Sequence, residues 1–326
     1  MILAGDFGGT KTNLAFYVPG ADRPHAQESR RFETKAFDGP GALIEDFLER
    51  SGRKATMACL AVAGPVADGR SQLTNLPWTL SEKDLCRRFG WRRCILLNDM
   101  TATVQAIPLL EASELAPLQP GTACPRGNLG LLAPGTGLGA ALALQRDGDL
   151  LPLASEFGHS DFAPIDEEGL SLWRFLAPHH GRVCLEDILS GRGLQRLYRW
   201  RRHLGDRHPD PETAEAIATS DDPAACISAL ALEGADPVCV KALDYFARCL
   251  GAAAGNLALT ALTRDGLYLA GGIAPKILPK LRDGVFEKAF LAKEPFRHLL
   301  EAIPVHVILT EKAPLLGAAK VAMEIS

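Results

Sequence analysis

Short apolar runs that stop at a glycine or an acid alternate with longer segments whose apolar residues recur every three or four positions. Ile2–Asp6 and Leu14–Val18 predict two strands joined through Gly8, Gly9 and Thr10. Gly41–Arg50 predicts a helix, and Met57–Val62 a strand that turns at "AGPV". "SEKDLCRRFG" predicts a helix with Ser81 as N-cap, Asp84 three residues later and Gly90 as the stop. The apolar run of "CILLNDMTA" terminates at Asn98 and Asp99. The first hundred residues thus predict a compact α/β unit.

Proline and glycine between Pro117 and Gly127 predict a separating segment. Two strand runs then flank "PGTGLG", and Asp147-Gly148 predicts a hairpin turn. From Glu167 to about Leu262 the pattern is mainly helical, with a polar stretch near 206–223. "GLYLAGGIAPKIL" predicts a strand, a glycine pair and a helix start; "VHVILT" predicts a late strand and "APLLGAAKVAMEI" a terminal helix.

A chain of 326 residues has room for two domains or one large one. Apolar residues at 47% and charged residues at 23% place it among globular proteins, and a net charge of −4 with no strongly basic stretch points away from nucleic acid. No window approaches the roughly 18 uninterrupted apolar residues of a membrane span. The N-terminus lacks a positive leader, and its apolar run ends at Asp6, so no signal peptide is expected. Eight scattered cysteines form no C-x-x-C pair, which predicts reduced, mostly buried thiols of a cytosolic protein and no zinc site.

"GDFGGT" and "PGTGLG" both lie between paired apolar runs, as two copies of one device. Each predicts a hairpin whose glycine turn aims backbone N–H groups outward, where they cradle phosphate. A P-loop is excluded because "GGTKT" has Lys and Thr in the wrong order and is followed by a strand pattern. A dinucleotide fold is excluded because "GTGLG" lacks the G-x-G-x-x-G spacing and leads into a strand.

"DFGGT", "PGTGLG" and "AGGIAP" resemble the two phosphate motifs and the adenosine motif of the actin, hexokinase and heat-shock-chaperone ATPase fold. More closely, "AGPV", "LTNLPW", "LLNDMTA", "GTGLG", "EFGHSDFAP", "RVCLEDILSGRGL" and "GGIAPK" resemble the bacterial glucokinases, in family order over nearly the whole chain. The related sugar-kinase and repressor family carries a zinc-binding cysteine cluster after its E-x-G-H segment; "EFGHSDFAPIDEEG" has none. The resemblance implies an α/β, two-lobed actin-like ATPase (ribonuclease H-like) fold with an interdomain cleft. The small lobe would comprise residues 1–109 plus 312–326, and the large lobe 110–311 with helical insertions.

A sugar kinase must take a proton from a weakly acidic alcohol, hold the phosphates with Mg²⁺, and fix the acceptor in line. Asp99, at the end of a strand run, is the candidate base; capping of the following helix is the alternative reading of Asn98-Asp99. The resemblance assigns both residues to the sugar, with Asp99 accepting the 6-hydroxyl proton. It assigns Glu156 and His159 to the sugar's anomeric end and Glu186 as a third acidic ligand, with Glu168 and Asp187 left as solvated acids. Asn75 and Trp78 match a segment beside the sugar, Trp78 with packing as its alternative. On the nucleotide side, Asp6 would orient Mg²⁺ through water. Gly8, Gly9, Thr10, Gly135, Thr136 and Gly137 would meet the phosphates, and Gly271 and Gly272 would leave room for adenosine. The implied activity is ATP-dependent phosphorylation of glucose by a cytoplasmic homodimer. Rivals are another hexose acceptor, a polyphosphate donor, or a catalytically silent sugar sensor.

Overall fold

The computed structural model describes residues 1–74, 76–146, 149–205 and 210–325. The chain divides into two compact units, Met1–Glu114 with Thr310–Ser326, and Leu115–Leu309.

The first unit begins with the antiparallel strands β1 (Ile2–Phe7), β2 (Lys11–Val18) and β3 (His25–Glu33). Helix α1 (Pro40–Ser51) ends at Gly52, whose φ of 63° is the left-handed conformation a glycine tolerates. It leads to β4 (Met57–Val62), parallel to β1. A small sheet of β5 (Val66–Ala67), β6 (Arg70–Gln72) and β7 (Thr79–Ser81) follows. Helix α2 (Glu82–Phe89) starts with the Ser81 side chain accepting from the Asp84 amide and stops at Gly90. Then come β8 (Arg93–Asn98), parallel to β4, and α3 (Asp99–Ala106). The sheet order is β3-β2-β1-β4-β8. Leu3, Phe7, Leu14, Phe16, Phe47, Leu60 and Val62 are fully buried in its core, with the Phe16 and Phe47 rings stacked at 5.1 Å.

The second unit opens with β9 (Leu115–Gln119), β10 (Leu129–Pro134), β11 (Leu138–Arg146) and β12 (Asp149–Ser155). A helical region follows: α4 (Glu167–His180), α5 (Gly191–Leu204), α6 (Pro211–Thr219), α7 (Pro223–Leu232) and α8 (Pro237–Ala261). Strand β13 (Gly266–Leu269), the short helices α9 (Leu278–Leu281), α10 (Val285–Leu291) and α11 (Arg297–Glu301), and β14 (Val305–Ile308) complete it. The sheet order is β12-β11-β10-β13-β14-β9. Helix α8 is the core element, with Phe246, Leu250, Ala254 and Ala258 fully buried. Last in the chain, α12 (Ala313–Glu324) belongs to the first unit and packs on α3. The contact is so close that a Cβ on Gly317 would stand 1.8 Å from the Ala102 carbonyl oxygen.

The two units share one topology. In each, three antiparallel strands form a meander, and the first of them continues into two parallel neighbours: β1, β4 and β8 in one, β10, β13 and β14 in the other. The glycine segment follows the first strand of each meander.

Three expectations change. The Pro117–Gly127 segment is not simply a separator, because its first residues lie in β9, paired with β14. Pro117 is accommodated there because β9 is an edge strand, while the buried Gln119 donates to the Leu300 and Ile303 carbonyls at 2.8 Å. The polar stretch near 206–223 contains α6 and the start of α7, each opened by an aspartate N-cap and a proline. After "LAGG" the chain makes turns before α9 begins at Leu278. The Asp147-Gly148 turn lies outside the described residues. All eight cysteines are free, and Cys59, Cys94, Cys184, Cys239 and Cys249 are buried. Among the described residues no single helix is long and apolar enough to cross a membrane.

Candidate active site

In the first unit, β1 delivers Asp6 one residue before its end, and Gly8, Gly9 and Thr10 turn the chain into β2. The Gly8 amide donates to the Lys11 carbonyl at 3.0 Å, closing the turn. Gly8 therefore shapes the loop, and a Cβ on it would approach that same carbonyl to 2.8 Å. The amides of Gly9 and Thr10 have no partner among the described residues and remain as donors. Thr34, which no sequence motif marks, fastens the loop from behind. Its amide donates to the Thr10 carbonyl and its hydroxyl to the Gly8 carbonyl, both at 2.9 Å. Its Oγ1 also lies 2.9 Å from the buried Thr12 hydroxyl.

Asp6 is pushed up to about 7, first by burial and next by the negative charge of Asp99; a 3.3 Å hydrogen bond from Asn13 works in the opposite direction. A carboxylate so raised suits a place where a cation is to arrive. Among the described residues no group of three or more His, Cys, Asp or Glu could hold a metal ion. Asp6 is a single buried carboxylate beside the glycine turn, a donor that suits Mg²⁺ carried largely by phosphate and water.

Strand β8 ends at Asn98, and Asp99 is the first residue of α3. Asn98 caps the helix: its Oδ1 accepts from the amides of Met100 at 3.0 Å and Thr101 at 3.2 Å. Its Nδ2 donates to the Gly64 carbonyl at 3.2 Å and to Asp99 Oδ1 at 3.0 Å. The Met100 amide also donates to Asp99 Oδ1, at 2.9 Å. Two donors on one oxygen fix the plane of this carboxylate at the carboxyl edge of a parallel sheet, where α/β folds bind ligands. Trp78 is 7% exposed in the first unit's core, so packing is its role there. Asn75 lies outside the described residues.

In the second unit, β10 and β11 flank the other turn, where the Gly135 amide donates to the Gly137 carbonyl at 2.8 Å. Gly135 thus closes its own loop, as Gly8 does, and Thr136 stands exposed at the tip. The "AGGIAP" segment packs against the end of β10. Gly271 has φ 77°, and a Cβ there would come within 2.5 Å of the Pro134 carbonyl oxygen, so only glycine fits. A Cβ on Gly272 would meet nothing within 4 Å, which leaves open space beside the loop.

The proposed sugar ligands of this unit sit on segments that meet Leu138. Glu156 and His159 are exposed at the ends of a single turn, closed by a 2.9 Å bond from the His159 amide to the Glu156 carbonyl. Gly158 in that turn sits against Leu138, and a Cβ would lie 2.2 Å from the Leu138 carbonyl oxygen. Pairing of Asp161 with Cys184 and a 3.0 Å bond from the Leu185 amide to the Ser160 carbonyl bring Glu186 alongside. Glu186 Oε2 accepts from the Leu138 amide at 2.9 Å.

Two acids expected to be merely solvated are held in ion pairs. Asp187 accepts from the Cys184 amide at 3.0 Å and pairs with His180 and Arg196, at 3.3 and 3.4 Å. Glu168 pairs with Arg201 at 2.6 Å and Arg248 at 2.9 Å. Both carry structure. Leu138 had no signal in composition or spacing beyond its place beside glycines; Thr34 had none, since strand pairing alone brings it to the loop.

The duplicated sheets and the paired glycine hairpins are those of the actin-like ATPase fold, which sugar kinases share. The family model described as Glucokinase matches residues 3–325. A glucokinase of Nostoc punctiforme is 35% identical, the match covering 98% of each chain. The crystal structure of a glucokinase from an Antarctic psychrotroph superposes with a TM-score of 0.85 at 29% identity, covering 99% of this chain and 98% of that one. A Balamuthia mandrillaris glucokinase, crystallised in complex with glucose, gives 0.79 at 25% identity over 99% and 93%. The chain belongs to the glucokinase family, whose reaction is ATP-dependent phosphorylation of glucose.

Proposed function

We propose that the transfer goes to the 6-hydroxyl of glucose and that Asp99 is the general base. The observation that carries this reading is the pair of bonds from Asn98 and Met100 that fix Asp99 Oδ1 at the end of β8, near enough to Asp6 for the two charges to interact. A carboxylate held in one orientation can accept the hydroxyl proton as the oxygen attacks. Glu156, His159 and Glu186 hold the remaining hydroxyls. In support, Glu186 bonds the Leu138 amide, and Glu156 and His159 flank the Gly158 that packs against Leu138, beside the second phosphate hairpin. Asn98 adds a bond to the sugar only by sharing groups that already cap α3. Gly9, Thr10, Thr136 and Gly137 present donors to the phosphates, and Gly271 and Gly272 make room for the adenosine.

Mg²⁺ bound with the phosphates would neutralise charge that develops on them, with Asp6 as the residue that orients it through water. The protein works in the cytoplasm as a homodimer. Release of ADP should be followed with glucose, mannose, fructose and galactose as acceptors, and with ATP or polyphosphate as donor. The reading predicts that glucose with ATP gives the highest kcat/KM. A higher value for another hexose or for polyphosphate corrects the substrate, and no turnover with any pair makes the protein a sensor.

A further inference from the structure

We propose that Glu186 also anchors the second phosphate hairpin, so that one side chain joins the sugar site to the nucleotide site. The inference rests on the assignment of Glu186 to the sugar and adds a nucleotide role to it.

The turn from Gly135 to Leu138 is held at both ends by a single segment. At its start, the Gly135 carbonyl accepts from the Gly191 amide at 2.9 Å. At its end, the Leu138 amide donates to Glu186 Oε2 at 2.9 Å. The contact with the turn itself is tight, since a Cβ on Gly137 would lie 2.5 Å from Glu186 Oε2. The holder is itself rigid. Ser190 Oγ donates to the Glu186 carbonyl at 2.8 Å and accepts from the Gly193 amide at 3.0 Å, tying Glu186 to the first turn of α5. On the other side, Asp187 accepts from the Cys184 amide at 3.0 Å, and Arg196 donates to the Asp187 carbonyl at 3.1 Å. Glu156 and His159 belong to the turn whose Gly158 packs on the Leu138 carbonyl, a contact with the backbone after the hairpin rather than a hydrogen bond to it.

The physical consequence follows from linkage. A loop whose N–H groups are pre-aimed binds phosphate without first losing conformational freedom. The Glu186 carboxylate supplies part of that order through a charge-assisted hydrogen bond. A sugar hydroxyl that settles on the other lone pairs of Glu186 holds the carboxylate in place and so holds the loop. Reciprocity then requires that nucleotide binding strengthen sugar binding by the same factor.

The test measures binding of the Mg²⁺ complex of a non-hydrolysable ATP analogue by calorimetry in the absence of sugar. Three variants are compared with the wild type: Glu186→Ala, Glu186→Gln and Glu156→Ala. The anchor predicts that Glu186→Ala weakens the analogue by about fivefold or more, the scale of one ordinary net hydrogen bond. Glu186→Gln, whose amide oxygen still accepts from Leu138, should stay within about twofold of the wild type. Glu156→Ala should leave the sugar-free nucleotide affinity unchanged. Unaltered or tighter binding in Glu186→Ala overturns the proposal, because the carboxylate then only repels phosphate. Equal weakening in Glu186→Gln and Glu186→Ala overturns it as well.

Glucose KM in the same variants reports separately on the sugar reading: if it is unmoved in both Glu156→Ala and Glu186→Ala, that reading fails while the anchor is judged by the analogue alone. Should the alanine variant not fold, hydrogen exchange at the Leu138 amide carries the test. That amide should be protected in the wild type and in Glu186→Gln, and exchange there as fast as in a free peptide in the wild type overturns the anchor.

Discussion

Asp6 and Asp99 lie close enough for the charge of one to act on the other, and the Asp99 carboxylate is, after burial, the strongest influence raising Asp6 to about 7. Asp6 lies in β1 and Asp99 opens α3 directly after β8, with β4 between the two strands in the sheet. Two acids forced into proximity at the carboxyl ends of parallel strands repel each other until a cation or a proton arrives.

Replacement of Asp99 by asparagine keeps the size and the hydrogen-bond geometry at the start of α3 but removes proton acceptance. kcat should fall at least ~10²-fold, the lower range for loss of a general base. Glucose binding, read by calorimetry, should survive in part. A purified variant that keeps more than half of the wild-type kcat removes Asp99 from this role.

Asp6 gives a pH dependence with a definite sign. Its folded-state value lies above the ordinary carboxylate value of 3.8, so the folded protein holds this proton more tightly than the unfolded chain. Its contribution to stability is complete below about pH 4 and is lost as pH rises through about 7. Asp6→Asn should therefore be more stable than the wild type above pH 7, by about 1–3 kcal/mol, with the advantage vanishing near pH 4. Thermal unfolding without nucleotide or Mg²⁺ at pH 4.5, 6 and 8 measures this. A variant whose Tm tracks the wild type at every pH refutes it.

Gly158 is a close-approach glycine. Alanine there would place a Cβ 2.2 Å from the Leu138 carbonyl oxygen, so either the "EFGH" turn or the start of β11 must shift. Because Glu156 and His159 ride on that turn, Gly158→Ala should raise glucose KM by about tenfold or more, the loss of about one hydrogen bond to the sugar. The Tm should drop as well. Unchanged KM would mean that the turn moves without carrying the two side chains.

Thr34→Val removes a buried hydroxyl that donates to the Gly8 carbonyl and faces Thr12 at 2.9 Å. Valine fills the same volume but leaves those partners unsatisfied, at a cost of about 1–3 kcal/mol. The first hairpin should loosen, so KM for ATP should rise more than KM for glucose. Equal changes in both would assign Thr34 to general stability alone.

The sequence by itself determined the elements that bury an apolar face or end on a distinctive residue. Strands β1, β2, β4, β8 and β10 were legible because their apolar runs break at glycine or at an acid, and α2 because Ser81 and Gly90 bound it. The two hairpins and Asp6, Asn98, Asp99, Glu156, His159 and Glu186 were legible as chemistry set at such breaks, and the family resemblance named their roles. Strand β3 was not legible. "HAQESRRFE" has few apolar residues and stands at the sheet edge, where its ladder to β2 rather than burial holds it. Strand β9 was hidden by Pro117, which only an edge position permits. The contacts that turn motifs into a site also belong to tertiary structure alone: Thr34 on the Gly8 loop, Gly158 on Leu138, Glu186 on the Leu138 amide, and Asp187 closing its own turn. Most of them join residues far apart in the chain, and all act through a backbone group, whose chemistry is the same at nearly every position. Sequence can mark which side chains are distinctive, but which amide or carbonyl they meet is decided when the strands pair and the helices pack.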